Sequence, residues 1–248
     1  MTAAPGLAVE AATWRPVTVE DVDGWPVGLS GGFTRRANSA LPLVAPVDLG
    51  ATLDRVEARY AAAGQPAVVR VCAAAPDGLA DALAARGYTE RVVTAVLVRD
   101  LGTAPPTRPD LPDDLRLAVA DAPDPAWLAT WLGVKATQGA VDVATARAVV
   151  TGSPAVYLTV TSAADGAPLA VIRAALEGPW AGLSCLVVVP EARRRGLGRL
   201  LTRAAVHAAA GRGARRAFLQ VEATNTGAAA LYDAEGFAPA ERYAYWER

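Results

Sequence analysis

The chain has 248 residues, with 24 basic and 25 acidic side chains, a net charge of −1 and a single histidine, His207. So even a balance excludes a protein built to attract nucleic acid. The 52% hydrophobic content is largely alanine and contains no run near the ~20 residues of a membrane span. Met1–Ala12 lacks a basic region followed by an apolar one, so no secretory leader is expected, and the cytoplasm is the expected compartment. His207 sits among alanines in a helical pattern and is read as a surface or satisfied core residue, which sets aside Ser-His-Asp hydrolysis. Cys72 and Cys185 lie in apolar strand-like runs and read as small buried hydrophobes, so neither a disulfide nor a metal is expected.

In chain order, Gly24–Leu43 is a strand-like run interrupted by Arg35, Arg36, Asn38 and Ser39. These side chains could meet an acidic or carboxylate-bearing substrate, since arginine binds carboxylate in a bidentate way. The alternative is an arginine pair on the solvent face of an edge strand. Trp14 and Trp25 are expected to pack. A helix follows over Leu49–Ala63, then a strand over Ala67–Ala73, a short helix after Gly78, and a β-like tail ending at Asp100. The Pro-rich stretch Leu101–Asp114 reads as an extended linker. Beyond it come a strand at Leu115–Ala118 and helices at Pro125–Ala136 and Val143–Val150. Strands at Ala155–Thr161 and Leu169–Leu176 are joined by an Asp165-Gly166 hairpin turn. A strand at Leu183–Val189 stops at Pro190. The chain closes with a helix at Leu197–Ala210, a strand at Ala217–Glu222, a helix at Thr226–Glu235 and a strand at Glu241–Trp246. Mixed strands flanked by helices predict an α/β or α+β layered fold.

The two stretches end alike. Gly87-Tyr88 aligns on Gly236-Phe237, Ala67–Ala73 on Ala217–Ala223, and Leu49–Ala63 on Leu197–Ala210. The pattern predicts a duplication: a repeat over 1–100, a linker over 101–114 and a second repeat over 115–248.

The chemistry concentrates in Leu186–Leu201, LVVVPEARRRGLGRLL. A β-branched strand stops at a proline, three arginines and two glycines follow, and a helix begins. The first N–H groups of a helix lack internal partners and sit at the positive end of its dipole. Glycines at 196 and 198 let an anion approach the backbone. Arg193, Arg194, Arg195 and Arg199 add charge around Gly196, Leu197 and Gly198, so a pyrophosphate is the expected guest. Downstream stand Asn225-x-x-Ala228-x-x-Leu231-Tyr232 and Gly236-Phe237. Gln220 and Glu222 share one face of their strand by alternation.

The Arg-x-x-Gly-x-Gly loop, the Asn-to-Tyr helix and the Gly-aromatic close, in this order, resemble the GCN5-related N-acetyltransferase (GNAT) superfamily. The duplication with its Pro-rich joint resembles the tandem GNAT arrangement of actinobacteria. The resemblance implies a central mixed, mostly antiparallel sheet flanked by helices, and acetyl-CoA as cofactor. It implies that the backbone of Leu186, Val187 and Val188 pairs with the pantetheine arm. The loop from Arg193 to Arg199 would hold the pyrophosphate, and Asn225 would bond the pantetheine side. Tyr232 would protonate the leaving thiolate, a fitting role for a phenol that is neutral at pH 7. An amide of Val187 or Val188 would polarise the thioester. Glu222 is the candidate base, with Glu177 a second candidate near the substrate. In the first repeat Leu83 stands where Tyr232 stands in the second, and Asp48 stands where the arginine loop should be. That repeat is therefore expected to bind no CoA, closing a sheet edge and walling the pocket instead.

The expected reaction is N-acetylation of a small-molecule amine, with a protein amine as a further possibility. The alternatives are a cofactor-binding scaffold without turnover and a mycothiol-synthase-like acyl transfer. Neither a nucleic-acid partner nor a membrane is expected. The segment from Trp127 to Val150 should shape acceptor choice, and neither the acceptor nor the oligomeric state is legible.

Overall fold

The computed structural model describes residues 3–103, 106–135 and 142–248, with the side chains of 134 and 135 excepted. The predicted helix end at Ala136, part of the acceptor segment (136–141) and residues 104–105 of the linker lie outside the described residues. The chain runs α1 (Leu7–Thr13), β1 (Thr18–Val22), β2 (Trp25–Leu29), α2 (Leu49–Ala62), β3 (Val68–Cys72), α3 (Leu79–Ala85) and β4 (Thr89–Asp100). After the Pro-rich stretch come β5 (Leu115–Ala120), α4 (Pro125–Lys135), α5 (Val143–Thr151), β6 (Ala155–Ser162), β7 (Pro168–Glu177) and β8 (Trp180–Val188). The last elements are α6 (Leu197–Ala210), β9 (Arg216–Glu222), α7 (Thr226–Ala234) and β10 (Ala238–Glu247).

Among the described residues, eight strands form one sheet in the order β3-β10-β4-β9-β8-β7-β6-β5, and β1 and β2 form a separate hairpin. Of the strand pairs in this sheet, β8 and β9 run parallel and the others antiparallel. The expected mixed, mostly antiparallel sheet flanked by helices is thus what the chain forms. Alternation divides its faces. Ile172, Ala174 and Leu183 pack on one side with Leu197, Leu201 and Ala205 of α6. Val171, Ala175 and Tyr157 pack on the other with Trp127 and Trp131 of α4 and Val149 of α5. Among the described residues, no helix is long and apolar enough to cross a membrane.

Two features depart from the sequence reading. The first stretch does not simply close a sheet edge. Its last strand, β4, lies in the sheet interior, paired with β9 on one side and β10 on the other. Strand β10 in turn reaches past β4 to pair with β3. The strand-helix-strand successions β3-α3-β4 and β9-α7-β10 therefore interlock, each lending its second strand to the other's first. Helix α1 crosses over as well: Arg173 of β7, fully buried, donates to the Thr13 carbonyl at 2.9 Å and to Ser153 Oγ at 2.7 Å.

The second departure concerns Gly24–Leu43. Only Trp25–Leu29 is a strand; Arg35 and Arg36 sit in a 3₁₀ turn, Arg35–Ala37. Asn38 accounts for the break. Buried, it accepts from the backbone N–H groups of Ser30 and Gly32 and donates to the carbonyls of Phe33 and Thr34, folding the loop on itself.

Candidate active site

Strands β8 and β9 stay paired only from Trp180↔Arg216 to Leu183↔Leu219. Beyond that point they part, although β8 continues to Val188 and β9 to Glu222. A bulge in β8 marks the place. Its register with β7 slips between Val171↔Val187 and Arg173↔Ser184, so Ile172 alone faces Cys185 and Leu186. Cys185 takes a positive φ of 59° there. Bulges bend a strand and increase its twist, and here the bend opens a cleft. Val187 and Val188 pair with β7 on one side, and none of Leu186, Val187 and Val188 pairs with β9 on the other. Cys185 is thus half-buried at a bend, not a fully buried strand residue, whereas Cys72 is buried on β3.

The loop after β8 makes a short 3₁₀ turn, Pro190–Ala192, whose buried Ala192 anchors it. Arg194 and then Gly196 adopt left-handed conformations, with φ of 66° and 78°. Gly196 caps α6 without a side chain, and the first helical bond runs from Leu200 N–H to the Gly196 carbonyl at 3.0 Å. The N–H groups of Leu197, Gly198 and Arg199 therefore have no partner within the helix and face the loop. Gly198 has a packing role as well: a Cβ there would lie 3.0 Å from Leu231 Cδ1, so this glycine lets α6 approach α7.

The arginines divide. Arg195 pairs with Asp114 at 2.6 Å, and Arg199 and Arg203 share the buried Glu235 at 3.1 and 2.7 Å. Arg193 Nε donates to the Val188 carbonyl at 3.3 Å. Among the described residues, neither Arg193 nor Arg194 is ion-paired to a carboxylate. They are the cations left available at the mouth. A groove of about 840 Å³ runs along α6 past Arg195, Arg199, Arg203, Arg99 and Arg108. His207 closes one side of this region by bonding the Pro106 carbonyl at 2.7 Å through Nδ1.

Helix α7 starts beside the cleft. Asn225 caps it, its Oδ1 accepting from Ala228 N–H at 3.1 Å. The sequence reading gave this side chain a ligand role only; the cap uses its oxygen and leaves the amide nitrogen. Asn225→Ala should lower stability by about 1 kcal/mol, read as a drop in the urea midpoint without a change in slope. Tyr232 packs against the α6 core and meets Phe237 edge-on at 5.9 Å. Burial pushes its phenol up to about 12.

Glu222 is exposed at the end of β9, opposite Thr94 of β4, where the cleft is open. Gln220, on the same face, lies one residue past the last β8–β9 pair. Glu177 lies elsewhere. It faces Trp180 at the closed end of the β7–β8 hairpin, the length of β8 away from the cleft. Arg35 is turned outward and paired with Glu247. Arg36 stacks on Trp14, its guanidinium carbon 4.4 Å from the ring centroid. The structure therefore brings Leu186–Val188, the 193–199 loop, Asn225 and Glu222 to one end of the sheet, and leaves Glu177 and Arg35 out.

Sequence reasoning missed a buried ionic cluster on the α1 face. One Glu10 carboxylate oxygen accepts from Arg70 at 2.6 Å and also from Gln220, and the Arg70 guanidinium lies 3.6 Å from the Tyr243 ring centroid. Glu10 and Arg70 are each 2% exposed. Burial holds the Glu10 carboxyl above the usual carboxylate range, with Arg70 pulling the other way. A charge inside an apolar strand (Arg70 in VVRVC) was the available signal, since arginine is almost never buried unpaired.

Comparison with known proteins agrees with this fold. A solved GCN5-related N-acetyltransferase from Kribbella flavida superposes with a TM-score of 0.71 at 19% identity, covering 98% of this chain and 96% of that one. A tandem GNAT protein from the clavulanic acid biosynthesis pathway gives 0.70 at 20% identity over 100% of this chain and 89% of its own. The chain has the fold of the GNAT superfamily. It belongs to the family described as probable histone acetyltransferase Rv0428c, C-terminal, whose model matches residues 7–246. The probable histone acetyltransferase Rv0428c of Mycobacterium tuberculosis is 33% identical over 227 residues. That match takes in 87% of this chain and spans 65% of the relative's length.

Proposed function

We propose that the chain transfers the acetyl group of acetyl-CoA to a primary amine of a small molecule by direct attack. The observation that carries this reading is the parting of β8 from β9 in front of the N-terminus of α6, which no side chain caps. These residues suit the cofactor: open peptide groups for an extended amide arm, free helix N–H groups and two unpaired arginines for a pyrophosphate. When bound, acetyl-CoA supplies an activated thioester. The peptide groups of Leu186, Val187 and Val188 hold the arm as a strand would, and the N–H groups of Leu197–Arg199 with Arg193 and Arg194 hold the phosphates. With it bound, an N–H of Val187 or Val188 would donate to the thioester oxygen. Glu222 would take the proton of the attacking amine, directly or through water, and Tyr232 would give its proton to the departing thiolate.

Residues 1–100 are read as a degenerate repeat of 115–248, joined by 101–114. The succession β3-α3-β4 repeats as β9-α7-β10, and Leu83, fully buried in α3, takes the place of Tyr232. A second reading, acylation of a protein lysine, is favoured by the description of the M. tuberculosis relative. A mycothiol-synthase-like acyl transfer differs only in the amine accepted.

Thermal unfolding with and without acetyl-CoA tests the core of the proposal. Ligand at a hundred times its Kd should add ~2.7 kcal/mol of stability. Gly196→Glu, which places a carboxylate in the cradle, should abolish that gain. No gain in the parent protein at millimolar ligand would overturn the reading. A gain without thiol release across an amine panel would favour a cofactor-binding scaffold.

A further inference from the structure

A second cavity, of about 340 Å³, lies between α1, the β1–β2 hairpin and strands β3 and β10. It shares no lining residue with the groove along α6. Trp14, Pro26, Leu41 and Tyr245 give it an apolar wall, which five charged or hydroxyl side chains interrupt: Glu10, Ser39, Arg70, Arg36 and, exposed at the mouth, Arg15. The first three are buried, at 2%, 3% and 2% exposure. Each carries an atom without a hydrogen-bond partner: Glu10 Oε1, Ser39 Oγ and Arg70 Nε. Such atoms cost about 1–3 kcal/mol each. Three of them on residues lining one cavity call for a cause. Arg36, at the half-exposed rim, has no carboxylate partner among the described residues.

The charges select the guest. A lone cation would satisfy Glu10 Oε1 and Ser39 but meet Arg15, Arg36 and Arg70. A lone anion would satisfy the arginines but meet Glu10. A molecule carrying both charges close together, with an apolar body for the wall, satisfies all of them. We propose that this cavity binds a small α-amino acid with an apolar side chain. Its ammonium is taken by Glu10 and Ser39, and its carboxylate by Arg70 Nε and Arg36. The site does not depend on the acetyl-transfer reading, because it uses none of the cofactor residues.

Calorimetric titration of the full chain with L-leucine and L-phenylalanine tests this. At least one should saturate with a Kd of about 1 mM or tighter. For the leucine frame, 3-methylbutylamine and 4-methylpentanoate, each lacking one charge, should bind at least about tenfold more weakly, a loss of roughly 1.4 kcal/mol. Arg36→Leu, at the rim, should weaken the amino acid about tenfold and leave 3-methylbutylamine unchanged, and Glu10→Gln should weaken both. If Glu10→Gln does not fold, Ser39→Ala takes its place with the same expected outcome. Absence of saturation by both amino acids at about 20 mM, or undiminished affinity in Arg36→Leu, overturns the proposal. The acetyl-CoA stability gain should persist in Arg36→Leu, so failure here is distinct from failure of the cofactor reading.

Discussion

Replacing Tyr232 by phenylalanine is expected to lower kcat by about a hundredfold or more, the usual range for losing a general acid, while leaving the Kd for acetyl-CoA within about twofold. The ring packing against Phe237 and the α6 core survives the change, so the variant should melt close to the parent. The loss falls on a proton that burial holds firmly: with the phenol pushed up to about 12, Tyr232 stays protonated through the whole range in which amines lose theirs. The parent rate should therefore rise with pH as the acceptor amine deprotonates, and show no fall from Tyr232 below about pH 11. Steady-state rates by thiol release across pH 6.5–10 read both effects. An undiminished kcat in Tyr232→Phe would remove this residue from the chemistry.

The largest stability effect is expected at the Glu10–Arg70 pair. Arg70→Met leaves a carboxylate buried without its cation and should cost about 3–5 kcal/mol. The double variant Glu10→Met with Arg70→Met, which removes both charges, should recover most of that loss. A double-mutant cycle by urea unfolding isolates the coupling. The pH dependence has a definite sign. The folded Glu10 carboxyl sits above its unfolded value, so the native state holds a proton that the unfolded state has released. Its contribution is fully present below the unfolded carboxylate range and is lost as pH rises through the folded value. Glu10→Gln should flatten that part of the stability profile; an unchanged slope would mean that another carboxylate sets it.

The turn from β8 into α6 was legible because its signals are local. A strand stopped by Pro190, glycine at a left-handed position and a helix without an acidic first turn all occur within a few residues, and each has a short-range physical cause. Strand β8 was read as starting at Leu183, not Trp180, because Ala181 and Gly182 weaken the β pattern; Gly182 is there because Phe218 and Thr13 come within 3.0–3.1 Å of where a Cβ would sit. The surroundings of Arg35, Arg36 and Glu10 were not legible. Arg35 and Arg36 look alike in the sequence, yet one pairs with Glu247 and the other stacks on Trp14, and both partners are remote in the chain. Glu10 carried no signal at all. It lies in a seven-residue helix, and Arg70 and Gln220, which hold it, stand 60 and 210 positions away.

The interlocked strands also set the order in which the chain can be completed. Strand β4 finds its partner β9 in register Thr94↔Glu222, 128 positions further on, and β3 waits still longer for β10. At synthesis rates of about 5–20 residues per second, β4 stays without β9 for roughly 6–25 s after it emerges. It is apolar through Ala95–Val98, so during that interval it presents an open hydrogen-bonding edge of the kind that recruits foreign strands. Chaperone demand during translation, and the yield when the stretches up to and beyond the Pro-rich joint are produced as separate polypeptides, are therefore set by one interior strand that neither piece can shelter alone.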